Sequence, residues 1–268
     1  MTEITSGGST GNGSTDAVVV TVHATAGSAP REPGAWMAVT ADVVEGTIGG
    51  GHLEYEAIAE ARRRLAGAAG EPVMRYALGP SLGQCCGGTV QLRYARATPG
   101  LLRELRDADL AARRPVTLFG GGHVGRALVQ ALGALPFSVL WIDSRDEVFP
   151  AQLPDNVRCE HSHPVHKAVN AMPPHSHVLI MSFSHAEDLD IVAACLRRER
   201  DESDVRFIGL IGSKTKWATF RSKLEERGFT RPELAMVTCP IGLPDIKGKQ
   251  PGVIAASVAA QLLQTAGN

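Results

Sequence analysis

Apolar positions recur along the first third of the chain with the spacings of short strands and of one amphipathic helix. Strands are predicted at Val18–Thr25, Trp36–Thr40, Val73–Ala77 and Thr89–Tyr94. A helical pattern follows Gly49–Gly51, and Arg62–Arg64 lie towards its C-terminal end, where cations interact favourably with the helix dipole. Together these elements predict a smaller N-terminal α+β domain over residues 17–97.

The pattern changes in residues 98–114, a polar, arginine-rich stretch with a short helix that is predicted to be a linker. From residue 115 to residue 268, apolar strand runs alternate with helical patterns. Strands are predicted at Val116–Phe119, Ser138–Asp143, Val178–Ser182, Phe207–Gly212 and Met236–Pro240. Strand–helix alternation of this kind is typical of an α/β domain with a doubly wound parallel sheet.

Composition narrows the class of protein. Of 268 residues, 44% are hydrophobic and 21% are charged, which is typical of a soluble globular protein of one or two domains. A formal net charge of -1 without a long Lys/Arg run argues against a nucleic-acid partner. No stretch approaches the roughly 18 apolar residues of a membrane span. The Gly/Ser/Thr-rich residues 1–16 predict a disordered tail, and five cysteines, an odd number, favour free thiols in the cytoplasm.

A glycine-rich turn follows the first strand of the second domain. It consists of Gly120, Gly121, Gly122, His123, Val124 and Gly125. In this G-x-G-x-x-G pattern the first glycine permits a tight turn, the second lets backbone approach a phosphate, and the third lets the helix pack on the strand. Asp143 ends the next strand, where a ribose-binding acid is expected. The strand–turn–helix context favours a phosphate-bearing ligand over a purely structural turn.

Two adjacent cysteines, Cys85 and Cys86, lie in a glycine-flanked loop before a strand. Zinc sites normally leave at least two residues between cysteine ligands, so a structural zinc site is not expected here. Soft thiolates suit molybdenum or a transferable sulfur atom. Small buried residues in a tight turn are the alternative interpretation. Cys195 and Cys239 are predicted to be core thiols instead.

Further polar residues follow other strands of the second domain. Ser213 and Lys214 open a helix, where they would either bind an anion or simply cap the helix. His185 and Asp188 follow another strand, at the carboxyl edge where open α/β sheets bind ligands, although Asp188 could equally be a helix cap. Residues 161–166, which contain three histidines, are predicted to form a solvated loop rather than a metal site.

Several segments together resemble the XdhC/CoxI family, the xanthine dehydrogenase accessory factors. The matching segments are Gly27–Met37, Glu45–Glu54, Leu78–Gly88, Leu118–Leu128, Trp141–Arg145, Phe207–Trp217 and Cys239–Pro244. The combination QCCGG followed by FGGGHVG is far more specific than either motif alone. Two positions depart from the family pattern: Phe183 stands where a His is frequent, and Gln250 stands where a Thr is usual.

The resemblance implies a C-terminal Rossmann-like domain and an N-terminal domain that carries the Cys pair. It also implies binding of molybdenum cofactor (molybdopterin), its sulfuration with a cysteine desulfurase, delivery to a xanthine-dehydrogenase-type apoenzyme, and a homodimer. The pterin phosphate would then lie on Gly120–Gly125, Asp143 and His185 would meet polar edges of the ligand, and Cys85 or Cys86 would face the molybdenum. Binding and transfer need no turnover, so the resemblance favours a chaperone over a catalyst.

Two other functions fit parts of the sequence. The glycine fingerprint also suits an NAD(P)-dependent oxidoreductase, but the chain has no Tyr-x-x-x-Lys pair or comparable hydride-transfer set, and the Cys pair would have no role. A redox- or nucleotide-sensing regulator would use the adjacent thiols without catalysis. Bound pterin and molybdenum, bound nicotinamide, or thiol redox behaviour without pterin would distinguish the three functions.

Overall fold

A computed structural model describes residues 16–78 and 87–265. Its contacts divide the chain into two compact units, one ending at Ala108 and the other beginning at Asp109. In the described part of the chain, no helix is both long enough and apolar enough to cross a bilayer.

The described part of the N-terminal unit contains an antiparallel sheet whose strand order is β3-β2-β1-β5-β4. The strands are β1 (Val18–Ala26), β2 (Trp36–Val39), β3 (Val44–Gly46), β4 (Val73–Ala77) and β5 (Thr89–Arg96). Helix α1 (Gly51–Leu65) buries Leu53, Ala57 and Ala61 against the apolar core of this unit. Helix α2 (Pro99–Ala112) buries Leu102 beside Trp36 and Ala38. The predicted α+β character is therefore confirmed, and β3 is a strand that the sequence pattern did not reveal.

The C-terminal unit contains a parallel sheet, which has six strands in the described residues and the order β8-β7-β6-β9-β10-β11. The strands are β6 (Arg114–Phe119), β7 (Phe137–Asp143), β8 (Val157–His161), β9 (Ser176–Ile180), β10 (Val205–Leu210) and β11 (Val237–Thr238). The helices are α3 (His123–Gly133), α4 (His185–Glu202), α5 (Lys214–Glu226), α6 (Arg231–Leu234) and α7 (Pro251–Thr265). The chain runs outward from β6 to β8 and then returns to β9 beside β6, which confirms the predicted doubly wound sheet and puts its topological switch point between β6 and β9.

Apolar side chains of this sheet form two clusters. One cluster packs Ile180 and Ile208 against α4 and α5, and the other packs Leu118 and Trp141 against α3 and α7. Because helices cover both faces of the parallel sheet, its strands are apolar on both sides. This packing holds the carboxyl ends of β6 and β9 in fixed positions.

Helix α4 and strand β8 differ most from the expectations drawn from the sequence. Helix α4 begins at His185 rather than near Asp190, because the Ser184 side chain accepts a hydrogen bond from the Glu187 N–H (3.2 Å) and caps the helix. The predicted loop at residues 161–166 was wrong in part, since His161 ends strand β8 and a 3₁₀ turn begins at Val165. The segment VRCEH hides β8 because only two of its five residues, Val157 and Cys159, are apolar.

Candidate functional site

The glycine turn lies at the carboxyl end of β6, at the switch point of the sheet. Gly120 has φ +122°, and an added Cβ would lie 2.0 Å from the Met181 carbonyl oxygen, in the turn after β9. An added Cβ on Gly125 would lie 2.1 Å from the Gly120 carbonyl oxygen. These two glycines are required because backbone segments approach each other too closely for any side chain.

Gly122 differs from its neighbours because nothing crowds it. Its backbone is extended (φ -71°), no atom lies within 4 Å of an added Cβ, and it precedes α3 without a side-chain hydrogen bond that caps the helix. His123 and Val124 follow as the first helical residues. Backbone N–H groups at such an uncapped helix start are free to bind an anion.

Asp143 fixes this turn from the end of β7. Its buried carboxylate accepts hydrogen bonds from the Gly121 N–H (2.6 Å) and the Arg145 N–H (2.9 Å), and from Arg145 Nε (2.9 Å) and Nη2 (3.0 Å). Burial alone would raise the pKa of Asp143, but the hydrogen bonds from Arg145 and Gly121 outweigh it and lower the pKa. Each carboxylate oxygen already has two donors, so Asp143 positions the turn, and a ligand hydroxyl would have to compete with these bonds.

Arg145 links Asp143 to the turn after β9. Its guanidinium lies 4.5 Å from the centroid of the Phe183 ring, and 66% of the Phe183 surface is exposed. Hydrogen bonding to Asp143 raises the pKa of Arg145. Gly121, Asp143, Arg145 and Phe183 thus form a continuous chain of contacts across the switch point.

A second carboxylate, Asp188, holds the turn after β9 to helix α5. Its Oδ1 accepts hydrogen bonds from the Ser182 N–H (2.8 Å) and hydroxyl (2.7 Å), while its Oδ2 pairs with Lys216 Nζ (2.6 Å). Lys216 Nζ also donates to the Ile211 carbonyl oxygen (2.9 Å). Asp188 is therefore not the cap of α4 but the buried partner of a lysine.

Comparisons with known proteins identify the family. The sequence profile described as the XdhC Rossmann domain matches residues 116–262, and the profile described as the XdhC and CoxI family matches residues 12–77. The chain belongs to the XdhC and CoxI family. This membership confirms the resemblance to the XdhC/CoxI family.

Two proteins show how far this similarity extends along the chain. A protein of Escherichia coli strain K12 named uncharacterized protein YqeB is 27% identical over 252 residues, which cover 90% of this chain and 42% of that protein. The chain thus spans less than half the length of this curated relative. A crystal structure described as a xanthine dehydrogenase from Bacillus halodurans aligns with a TM-score of 0.73 and 20% identity, covering 95% of this chain and 93% of the other. That likeness shows the fold.

Other predicted residues of this XdhC-family chain follow strands β9 and β10. The His185 ring packs edge-on against Phe220 (6.3 Å between centroids), beside a groove of about 610 Å³ between α4 and α5. Ser213 caps α5 by accepting a hydrogen bond from the Lys216 N–H (3.1 Å), as the capping interpretation predicts. Lys214 is exposed and borders a different pocket of about 500 Å³.

Sequence reasoning missed Lys216, Arg145 and Phe183 as site residues. The run Ser213-Lys-Thr-Lys holds two lysines, and only the second lies on the face of α5 that turns towards Asp188. Arg145 lies two residues beyond Asp143. At this spacing the Asp143 carboxylate accepts a hydrogen bond from the Arg145 N–H, as in an Asx turn.

Cys195 and Cys239 lie within the described part of the structure, unlike the adjacent cysteine pair. Cys85 and Cys86 lie outside the described residues. Burial raises the pKa of Cys195 to about 12, and it raises the pKa of the half-buried Cys239 as well. Neither thiol is set up to form a thiolate near neutral pH, which agrees with the predicted core role.

Proposed function

We propose that this chain binds molybdenum cofactor as cargo, assists its sulfuration and delivers it to a xanthine-dehydrogenase-type molybdoenzyme. The observation that carries this proposal is the uncapped start of α3 at the switch point, where Gly122 leaves open space beside free backbone N–H groups. Membership of the XdhC and CoxI family supports a molybdenum cofactor as the ligand whose phosphate binds there.

In this proposal the backbone N–H groups of residues 122–124 hold the terminal phosphate of the pterin. The helix dipole adds a favourable interaction with the anion. Asp143 acts through the turn, because its bond to the Gly121 N–H keeps that segment in the conformation that presents the other N–H groups. Ser213, Lys214 and His185 remain proposed contacts of a larger ligand at the carboxyl edge.

Cys85 and Cys86 are proposed to hold the molybdenum end of the cargo or its transferable sulfur. Adjacent soft thiols without zinc spacing suit that chemistry. A cysteine desulfurase would supply the sulfur, a xanthine-dehydrogenase-type apoenzyme would receive the cargo, and a homodimer is the proposed assembly.

An NAD(P)-dependent oxidoreductase is the second candidate, because Arg145 beyond the end of β7 lies where an arginine accommodates the 2′-phosphate of NADP. The hydrogen bonds of Asp143 argue against it. Both carboxylate oxygens already accept two hydrogen bonds each, so Asp143 is not free to bind a ribose diol.

Replacing Gly122 tests the phosphate site. Gly122→Asp puts a carboxylate where the phosphate lies, and the space around Gly122 lets the variant fold. Molybdopterin affinity, measured by calorimetry on the full chain, is expected to fall at least about tenfold, which corresponds to ~1.4 kcal/mol. Gly252→Asp is the matched control, because Gly252 also has open space near the start of a long helix, α7.

The outcomes of this experiment decide between the two candidate functions. Loss of molybdopterin binding in Gly122→Asp alone supports the proposal, whereas unchanged binding in that folded variant removes the phosphate site. Tight binding of NADP with no molybdopterin binding establishes the second candidate instead.

A Cys85→Ala/Cys86→Ala variant tests the role of the thiols. Retained binding without activation of the client enzyme supports that role, whereas full activation of the client would make the thiols structural.

A further inference from the structure

Phe183 is the exposed large aromatic side chain of the C-terminal unit, within the described residues, and it lies directly at the switch point. It follows β9 by three residues, and 66% of its surface is exposed. The preceding residues contact the glycine turn, since an added Cβ on Gly120 would lie 3.1 Å from the Ser182 nitrogen. The exposed ring is thus available to a ligand that binds at the glycine turn.

The backbone around Phe183 is fixed on both sides. The Ser182 N–H and hydroxyl donate to the buried Asp188, and the Phe183 N–H donates to Glu187 Oε2 (3.2 Å). Ser184 caps α4 immediately afterwards. The ring is therefore carried by an ordered turn, so that little conformational entropy is lost when a ligand packs on it.

One side of the ring is already supported. The Arg145 guanidinium lies 4.5 Å from the ring centroid, and its two hydrogen bonds to Asp143 hold it there. A planar guanidinium on one side of a ring leaves the other side for a second planar group, which stacks well on an aromatic surface.

The charges at this position favour a neutral ring over a second anion. Arg145 is paired with Asp143, and Glu187 adds another carboxylate nearby. These carboxylates disfavour a phosphate on the Phe183 ring but not an uncharged heteroaromatic ring. At the glycine turn, by contrast, the backbone N–H groups and Arg126, which donates to the Gly121 carbonyl oxygen (3.3 Å), favour an anion.

We propose that Phe183 is a stacking platform for the planar heteroaromatic ring of the ligand whose phosphate binds at Gly120–Gly125, namely the pterin of molybdopterin. This inference rests on the proposed function and adds a specificity-determining residue to it. Phosphate and ring are then recognised separately, the phosphate by the glycine turn and the ring by Phe183.

Binding by the full chain tests the inference with Phe183→Leu and Phe183→Trp. Base stacking on an aromatic side chain is lost in the leucine variant, so molybdopterin affinity is expected to fall about 5- to 150-fold. The tryptophan variant is expected to bind within a few-fold of the wild type. Met236→Ala is the control, because it also removes an exposed apolar side chain (41% exposed). Met236 precedes β11 and so lies at the amino ends of the parallel strands, whereas Phe183 lies beyond their carboxyl ends.

Ribose 5-phosphate serves as a probe that carries a phosphate without a heteroaromatic ring. Its weak binding, followed by nuclear magnetic resonance, is expected to be the same in the wild type and in Phe183→Leu, but lost in Gly122→Asp. Equal molybdopterin affinity of Phe183→Leu and wild type would overturn the stacking platform while leaving the phosphate site intact. If the wild type binds AMP but not molybdopterin, and Phe183→Leu weakens AMP, the proposed function fails while the stacking role stands.

Discussion

Asp143 shows how one carboxylate can organise a site without facing the ligand. It ends β7 with both oxygens occupied, and its bond to the Gly121 N–H connects two neighbouring strands of the sheet. Each hydrogen bond to a charged group contributes about 1.5–3 kcal/mol to the free energy of unfolding. The conformation of the glycine turn therefore depends on a residue more than twenty positions away in sequence.

This arrangement predicts a pH-dependent contribution to stability. Because the pKa of Asp143 is lowered in the folded state, its contribution is complete above the unfolded pKa of about 3.9 and is lost as pH falls through the lower folded pKa. Asp143→Asn should be less stable than the wild type at pH 7 by about 1–3 kcal/mol. This difference should shrink below about pH 4.

Urea unfolding of both proteins between pH 2.5 and pH 7 measures that difference. Asp245→Asn provides the control, because Asp245 is an exposed carboxylate. A difference between wild type and Asp143→Asn that stays constant down to the lowest pH would show that the carboxylate charge does not stabilise the turn.

Helices α4 and α5 are joined by the pair of Asp188 and Lys216. Asp188 keeps 3% of its side-chain surface exposed and Lys216 keeps 11%, so water screens their attraction only weakly. Because Asp188 also holds Ser182, the pair connects α5 to the turn that carries Phe183. Lys216, which lies 28 residues beyond Asp188 in the sequence, thereby supports the proposed ligand site.

Removing one member of this pair is expected to destabilise the C-terminal unit strongly. Lys216→Met leaves a buried carboxylate without its cation, a change that typically costs about 3–5 kcal/mol. Arg221→Met on the same helix is the matched control, because the Arg221–Glu225 pair is exposed and 4.0 Å long, and its loss should cost less than about 1 kcal/mol.

A double-mutant cycle with Asp188→Asn separates the pair from its surroundings. Denaturant unfolding of the two single variants and the double variant should give a coupling energy of about 1–3 kcal/mol. Additive effects would mean that Asp188 and Lys216 stabilise the protein independently, through Ser182 and the Ile211 carbonyl group.

At the scale of the whole molecule, the chain consists of units with separate cores. The two apolar clusters on the faces of the parallel sheet contain only residues that follow Asp109. A region of 160 residues is within the usual size of an independently stable domain.

A fragment of residues 109–268 is therefore expected to fold by itself. Circular dichroism should show a native α/β spectrum, and urea should unfold the fragment in one cooperative transition. A broad transition, or strong binding of a hydrophobic dye by the fragment under native conditions, would indicate that the parallel sheet needs the N-terminal unit. The full-length chain unfolded under the same conditions is the reference.

The sequence by itself determined the type and order of most elements and the position of the glycine turn. Apolar runs between glycines mark the strands β6, β7, β9 and β10 because these strands are covered on both faces, and local turn chemistry marks the glycines. Strands β3 and β8 were missed because they are short and contain few apolar residues. Their pairing comes from neighbouring strands, which a local pattern does not contain.

Only the tertiary structure decided which polar side chains share the switch point. Asp143 and Asp188 both lie near the carboxyl end of a strand, but the first holds the Gly121 N–H and the second pairs with Lys216. The exposure of Phe183 likewise depends on how the turn after β9 packs against Gly120. A local pattern fixes where a strand ends, whereas the partner of a side chain depends on which other strand ends beside it, and that is set by the order of strands in the sheet.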